Sequence, residues 1–426
     1  MSAFDKVIGY RETKEELLQV CDMIHDRSAY AALGAKMPHG VLLYGRPGMG
    51  KTLMANCLIA ESGLTSYTLR RNAGSDDFVN QITETFLKAK DNAPCLVFLD
   101  DMDKFDNEDS SHRDAPEYAA VQAGIDEVRG SEVFVIATAN ATYKLPKSLL
   151  RPGRFDRKIE LHQPTSSEAH QIIRHYLQDK PISPDVNMED VCYMISYSSC
   201  AELETLVNEA AILAAFRRRK YITTEDLVGA LLRVEFEEID SCFEEKEQYD
   251  LWSYALHEAG HLVVCEILSP GSVGLAFVSH HDRKAPVGFV RRCRELPHRM
   301  DYIAVYLAGK AAAELYDAQS PAPGCRSDLK DAITLIREDM TLKASAGMWM
   351  LDLETLETPA MSESMKARNE AVVHAELERC LLQAKDILMK NRNFLELTAK
   401  ALMQKSTLLH SDIQALRRQA EELKTV

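Results

Sequence analysis

Two short segments hold residue types whose spacing can do chemistry. Gly45-Arg-Pro47-Gly48-Met-Gly50-Lys51-Thr52 fits the pattern G-x-x-x-x-G-K-[ST]. Glycines there let successive backbone N–H groups turn inward on phosphate oxygens, and a helix starting beyond them adds positive potential. Lys51 would reach the β and γ phosphates of a nucleoside triphosphate, and Thr52 would hold Mg2+. Two hundred residues further on, His257-Glu258-Ala-Gly-His261 fits H-E-x-x-H. Four residues of helix turn through about 400°, so both imidazoles leave nearly the same face one turn apart and can share one Zn2+. Glu258, rotated about 100° from His257, would act as general base toward an attacking water. Composition alone gives roughly 0.06 such matches in a chain of this length, so the motif takes its weight from its company.

The phosphate loop needs a strand before it and a helix after it. Val41 to Tyr44, Cys95 to Leu99 and Val133 to Thr138 are short apolar runs that end in polar or glycine residues. They fit buried parallel strands with loops at their carboxyl ends, in an α/β doubly wound sheet over residues 1 to about 163. The second run delivers Asp100 and Asp101, with Asp100 placed to bind Mg2+ through water. The third delivers Asn140, whose amide would orient the attacking water. Arg151 and Arg154, in Leu149-Leu-Arg-Pro-Gly-Arg-Phe-Asp-Arg157, lie too far along the chain to fold back easily on the same site. A neighbouring subunit could supply them.

From about Pro164 the strand signals stop. Apolar residues recur at helical spacing in Ala201 to Phe216 and Thr224 to Val234, which fits a small helical subdomain. After an acidic stretch, Glu235 to Glu247, a third segment begins near Tyr249. It is mostly helical, with one candidate β region at Val273 to Val290 and two or three amphipathic helices over Ser362 to Leu423.

Composition limits the rest. The 426 residues are 46% hydrophobic and 27% charged, which is globular, and the length calls for two or three domains. The net charge of −15 is interspersed, and the one basic run, Arg217 to Lys220, ends a helical pattern. This argues against a dedicated nucleic-acid binder. Ten cysteines with no C-x-x-C pair suit reduced thiols in the cytoplasm, and no apolar run approaches the length of a membrane span.

Asp100, Asn140 and the Arg151 to Arg157 segment together resemble the AAA+ ATPase set. That resemblance implies that Arg151 and Arg154 are fingers inserted into the next protomer of a ring, usually a hexamer, and that Val7-Ile8-Gly9 contacts adenine. The order of phosphate loop, helical lid and H-E-A-G-H helix is similar to the FtsH-type AAA+ zinc metalloproteases. Leu307 to Leu315 looks like that family's helix after the zinc helix, and Ser327-Asp328-Leu-Lys-Asp-Ala332 like the segment carrying its third zinc ligand, here Asp328. The implied fold is an α/β P-loop AAA+ ATPase domain (1–163) with a small helical lid (164–236), followed by a mainly α-helical zinc metalloprotease domain (248–426). The implied cofactors are ATP, Mg2+ and Zn2+, the implied substrates polypeptides, and the implied assembly a homo-hexamer. A remodelling factor with weak or uncoupled peptidase activity, and a peptidase whose nucleotide site is only an assembly switch, are the rivals.

Three departures from the family pattern matter. Its members usually begin with transmembrane helices, whereas this sequence starts at the ATPase, so neither anchoring nor membrane substrates are implied. Where the family grips substrate with an aromatic, an aliphatic and a glycine, this sequence offers Arg70 to Val79, in which Phe78-Val79 is either a displaced equivalent or the buried start of a helix. The family's acidic strand ends in Asp-Glu, and Asp101 replaces that Glu with a side chain one methylene shorter. Asp101→Glu is therefore expected to raise steady-state ATP turnover; an unchanged or lower rate would remove Asp101 from the role of water activator.

Overall fold

Strands that are apolar at every position can only be stable when both faces are covered. Such strands form the centre of the sheet in the computed structural model, which describes residues 2–71, 77–105, 115–236, 251–281, 284–316, 325–342 and 363–423. The Asn72 to Asp76 part of the loop expected to grip substrate, most of the acidic stretch, Tyr249 and Ser362 lie outside the described residues. The chain divides into two compact units, one of residues 1–183 with 197–234, the other of 184–196 with 235–426.

In chain order the elements are α1 (Arg11–His25), α2 (Arg27–Ala32), β1 (Gly40–Tyr44), α3 (Lys51–Ser62), β2 (Thr65–Leu69), α4 (Phe78–Asp91), β3 (Cys95–Leu99), α5 (Pro116–Glu127), β4 (Val133–Ala139) and β5 (Arg157–Glu160). There follow α6 (Ser166–Leu177), α7 (Met188–Met194), α8 (Cys200–Phe216), α9 (Thr224–Phe236), α10 (Leu251–Leu268), β6 (Val273–His281) and β7 (Lys284–Arg292). The last are α11 (Arg299–Tyr316), α12 (Cys325–Leu342), α13 (Glu363–Lys390), α14 (Arg392–Lys405), β8 (Thr407–Leu409) and α15 (His410–Glu422).

The first unit is built on a parallel five-stranded sheet of order β2-β3-β4-β1-β5. Leu43, Phe98 and Ile136 point to one face, among Val20, Met54 and Leu58 of α1 and α3. Leu42, Val97 and Val135 point to the other, among Phe86 and Val121 of α4 and α5. Burying each such side chain contributes on the order of 1.5–3 kcal/mol, which explains why three continuous apolar runs were legible as strands. Helices α6 and α8 each open on a capping box, Thr165 with Glu168 and Ser199 with Glu202.

In the second unit α10 is buried over every residue from Ala255 to Glu266. A helix with no polar face must be enclosed on all sides, and α11, α13 and α14 pack around it with the sheet β7-β6-β8. The candidate β region is the hairpin of β6 and β7, and the C-terminal stretch holds three helices. Glu266 of α10 is wholly buried, yet it accepts hydrogen bonds from Gly271 N (2.9 Å), Val273 N (2.8 Å) and Gln414 Nε2 (3.1 Å). Helix α7 also belongs to this unit: Asp190 accepts from Ser411 N and Oγ at 2.8 and 2.7 Å, and Tyr193 stacks on His410. Among the described residues, no helix is long and apolar enough to cross a membrane.

Phe78 settles one alternative. It starts α4, is 2% exposed, and meets the Phe105 ring edge-to-face at 4.9 Å, so it is a core residue and not a gripping aromatic. Phe78→Ala should destabilise the first unit by about 3–5 kcal/mol, seen as an earlier unfolding transition in urea; an unshifted transition with slower substrate degradation would return Phe78 to the surface role.

Candidate functional site

Parallel pairing brings three strand ends to one rim. Tyr44 lies opposite Ala139 and Leu99 opposite Ala137, so Gly45, Asp100 and Asn140 follow their strands at nearly the same level, the edge where doubly wound sheets bind ligands. Gly50 takes φ 84° and caps α3, a turn that only glycine makes without strain. Gly45 and Gly48 complete the loop at positive φ, and Pro47 is exposed on it.

Lys51 is only 6% exposed. Its Nζ donates to Gly45 O (2.7 Å), Arg46 O (2.9 Å) and Asn140 Oδ1 (2.9 Å). Burial lowers its pKa, opposed by the nearby carboxylates of Asp101 and Asp103. Thr52 Oγ1 donates to Asp100 Oδ1 at 3.0 Å, and Thr138 Oγ1 donates to the same oxygen at 2.8 Å. Hydroxyl and carboxylate thus stand together where a divalent cation would bridge to phosphate.

Asn140 is oriented by a residue that motif reading passed over. Asp103, 7% exposed, accepts from Asn140 N at 3.0 Å and from Nδ2 at 3.1 Å, which turns Oδ1 toward Lys51. Its sequence signal was a third acid in Asp100-Asp-Met-Asp103. Beside the loop, a cleft is lined by Val7, Ile8, Met49, Leu53, His175 and Tyr176 among others. An apolar slot of this kind suits the flat face of a purine. Gly9 lies next to it, in a turn at φ 72° against Glu168.

The two candidate fingers differ. Arg151 is exposed. Arg154 is tied within its own chain, donating to Gln122 Oε1 (3.0 Å), Ser148 O (2.7 Å) and Asp126 Oδ2 (2.8 Å).

In the second unit His257, His261 and Asp328 converge. The Nε2 atoms of the two imidazoles are 2.9 Å apart, and Asp328 Oδ2 lies 3.1 Å from one and 3.3 Å from the other. Ligands about 2.0–2.1 Å from a tetrahedral zinc are separated by about 3.3 Å, so the triangle has nearly the right edges. Two imidazole nitrogens at that distance repel unless a cation or proton lies between them. Asp328 Oδ2 is out of contact with solvent and, among the described residues, meets no donor beyond these imidazoles. His261 Nδ1 donates to Val305 O at 2.6 Å, which leaves Nε2 free to act as a ligand. The residues fit zinc.

Burial lowers the pKa of His257. Burial also acts to lower His261, but the carboxylates of Asp328 and Glu258 outweigh it and push the group up to about 9. Despite its own burial, Asp328 is held well below the usual carboxylate range by the two imidazoles. Glu258 is pushed up to about 7 by burial, which suits a group that must both take and return a proton near neutrality.

Two glycines make this packing possible. A Cβ on Gly309 of α11 would lie 2.3–2.6 Å from the His257 ring, and one on Gly288 of β7 would lie 2.5 Å from Glu258 Cγ and 2.6 Å from Oε1. Neither glycine was singled out as a site residue, because the reason for each is spatial.

Comparison with known proteins follows from this geometry. Residues 41–163 match the model of the ATPase family associated with various cellular activities (AAA). The chain is 32% identical to the ATP-dependent zinc metalloprotease FtsH 1 of Thermomicrobium roseum, over 97% of this chain and 68% of that protein. It is 30% identical to FtsH 3 of Petrotoga mobilis, over 99% of this chain and 70% of that one, and 30% identical to FtsH 1 of Sphaerobacter thermophilus, over 97% and 67%.

Gly309→Ala should weaken zinc binding about 10–100-fold, because the displaced His257 ring no longer presents Nε2 to the cluster. Competition with a chromophoric chelator measures it; an unchanged affinity would mean that α11 does not position the ligand.

Proposed function

We propose a residue-level mechanism for this chain, which belongs to the FtsH family of ATP-dependent zinc metalloproteases. It hydrolyses peptide bonds in protein substrates at the expense of ATP, using Zn2+ and Mg2+, and works in an oligomeric ring. In our reading residues 1–163 form the large ATPase subdomain, 164–236 the lid, apart from α7, which groups with the second unit, and 248–426 the protease, and the ring is a homo-hexamer. A cytoplasmic location is part of the proposal, supported by cysteines that are free throughout the described residues.

At the protease site His257, His261 and Asp328 hold the metal, which when bound supplies Lewis acidity toward the scissile carbonyl and the attacking water. Glu258 takes the proton from that water and returns it to the leaving amine nitrogen. Burial raises its pKa, which favours its holding the proton between the two transfers. The backbone of Gly288 seals one side of Glu258 and fixes where the carboxylate can point.

At the nucleotide site the backbone from Gly45 to Gly50 cradles the phosphates, Lys51 neutralises the β and γ groups, and Thr52 with Asp100 holds Mg2+. Val7, Ile8 and their neighbours take the adenine. Asn140 and Asp101 direct water in line at the γ-phosphorus. Arg151 of one protomer serves the site of the next, since it is exposed while Arg154 is engaged at home.

The observation that carries the reading is the triangle of two Nε2 atoms and Oδ2 in the buried end of α10, with Glu258 beside it. Purified protein with Zn2+ and an unstructured protein such as casein should show cleavage that needs ATP, and that falls at least about 100-fold in Glu258→Gln and in Lys51→Ala. Cleavage that needs Glu258 and not ATP would mean an uncoupled peptidase, and ATP turnover without cleavage a remodelling factor.

A further inference from the structure

Three acids stand in sequence beside the phosphate loop, and their partners differ. Asp100 is 4% exposed and accepts from the hydroxyls of Thr52 and Thr138. Asp103 is equally buried and accepts from the backbone and amide of Asn140. Asp101 lies at the rim with a side chain 20% exposed, and its partners are cations. Its Oδ2 is 2.9 Å from Lys104 Nζ and 3.7 Å from Arg70 Nη2. Its backbone takes φ 54° and its N–H donates to Thr138 Oγ1 at 2.8 Å, so the main chain is anchored while the carboxylate is turned to Lys104 one 3-10 turn later.

We propose that Lys104 is a positioning residue that restrains the Asp101 carboxylate and so sets a slow rate for ATP hydrolysis in this chain. The proposal rests on the reading of Asp101 as the group that activates water. In that step the water oxygen bonds to the γ-phosphorus, the bond from that phosphorus to the β,γ-bridging oxygen breaks, and the water proton passes to Asp101 and on to the departing phosphate. A carboxylate that accepts from an ammonium through one oxygen is turned toward that ammonium, which limits how its remaining lone pairs can reach a water. Asp101 is also shorter than Glu by one methylene, about 1.5 Å of reach, so a tether that turns it aside costs it more than it would cost a longer side chain. Lys104 itself is well exposed, which means that it can be replaced without disturbing the core.

Steady-state ATP turnover of the full chain tests this, in the wild type, Lys104→Met and Lys104→Arg, at low and at high salt. Lys104→Met keeps the length of the stem and removes the charge. It should raise kcat about three-fold, the size of effect expected from releasing an exposed ion pair, with KM for ATP unchanged. Lys104→Arg should keep the wild-type rate. Added salt, which screens exposed pairs, should narrow the gap between wild type and Lys104→Met; a change in packing would not respond in this way. A Lys104→Met kcat at or below that of an active wild type overturns the restraint and leaves the ATPase reading standing. Absence of turnover in all three proteins sinks both.

Discussion

All the chemistry in this chain depends on ionisable groups held out of water, and a buried charge is tolerated only when something of opposite sign or matching polarity faces it. Lys51, Asp100, Asp103, His257, Glu258 and His261 are each less than a tenth exposed. In the first unit the compensation is internal: Lys51 is met by two carbonyls and an amide oxygen, Asp100 by two hydroxyls, Asp103 by Asn140. These are weaker partners than phosphate and Mg2+, and that difference is what nucleotide binding draws on. In the second unit the compensation is incomplete without a cation, because two imidazoles and two carboxylates share one enclosed space. The same burial raises the affinity for zinc and tunes Glu258.

The scaffold follows from this demand. A helix enclosed on all sides has to bury its whole circumference, and α10 does so from Ala255 to Glu266, polar residues included. To bring α11 close enough for Val305 O to receive His261 Nδ1, the facing surfaces have to be small: a Cβ on Gly260 would lie 2.5 Å from Ala308 O, and Gly309 lies directly under the His257 ring. In the ATPase unit the equivalent demand is level strand ends, and parallel pairing in register supplies them.

The central strands and both motifs were legible because each carries a strong local signal: continuous apolar runs for β1, β3 and β4, and fixed spacing for the phosphate loop and the two histidines. Strands β2 and β5 escaped notice because they are polar edges of the sheet, Thr-Ser-Tyr-Thr-Leu and Arg-Lys-Ile-Glu, with little of either buried. β8 is three residues long and exists only because β6 offers it a partner. Phe78 could not be placed from sequence, since an aromatic at a helix start fits a core and a surface grip equally; Phe105 decided it. Asp103, Gly288 and Gly309 share a different obscurity. Each matters through a partner 30 to 52 positions away, and no local pattern encodes such a pairing.

The two arginines show how a motif can overstate what it specifies. Arg151 and Arg154 sit three residues apart in one segment, and spacing alone gives them equal claim to a neighbour's γ-phosphate. Their surroundings do not. Arg154 makes three hydrogen bonds to α5 and to the loop before it, one of them to a carboxylate, and charge-assisted bonds are the stronger kind. Entering another site would require it to give up all three, including its bond to Asp126, which Arg129 also meets. Arg151 is exposed. In the protomer, then, Arg154 braces the segment against α5, and Arg151 is the charge that the segment leaves exposed.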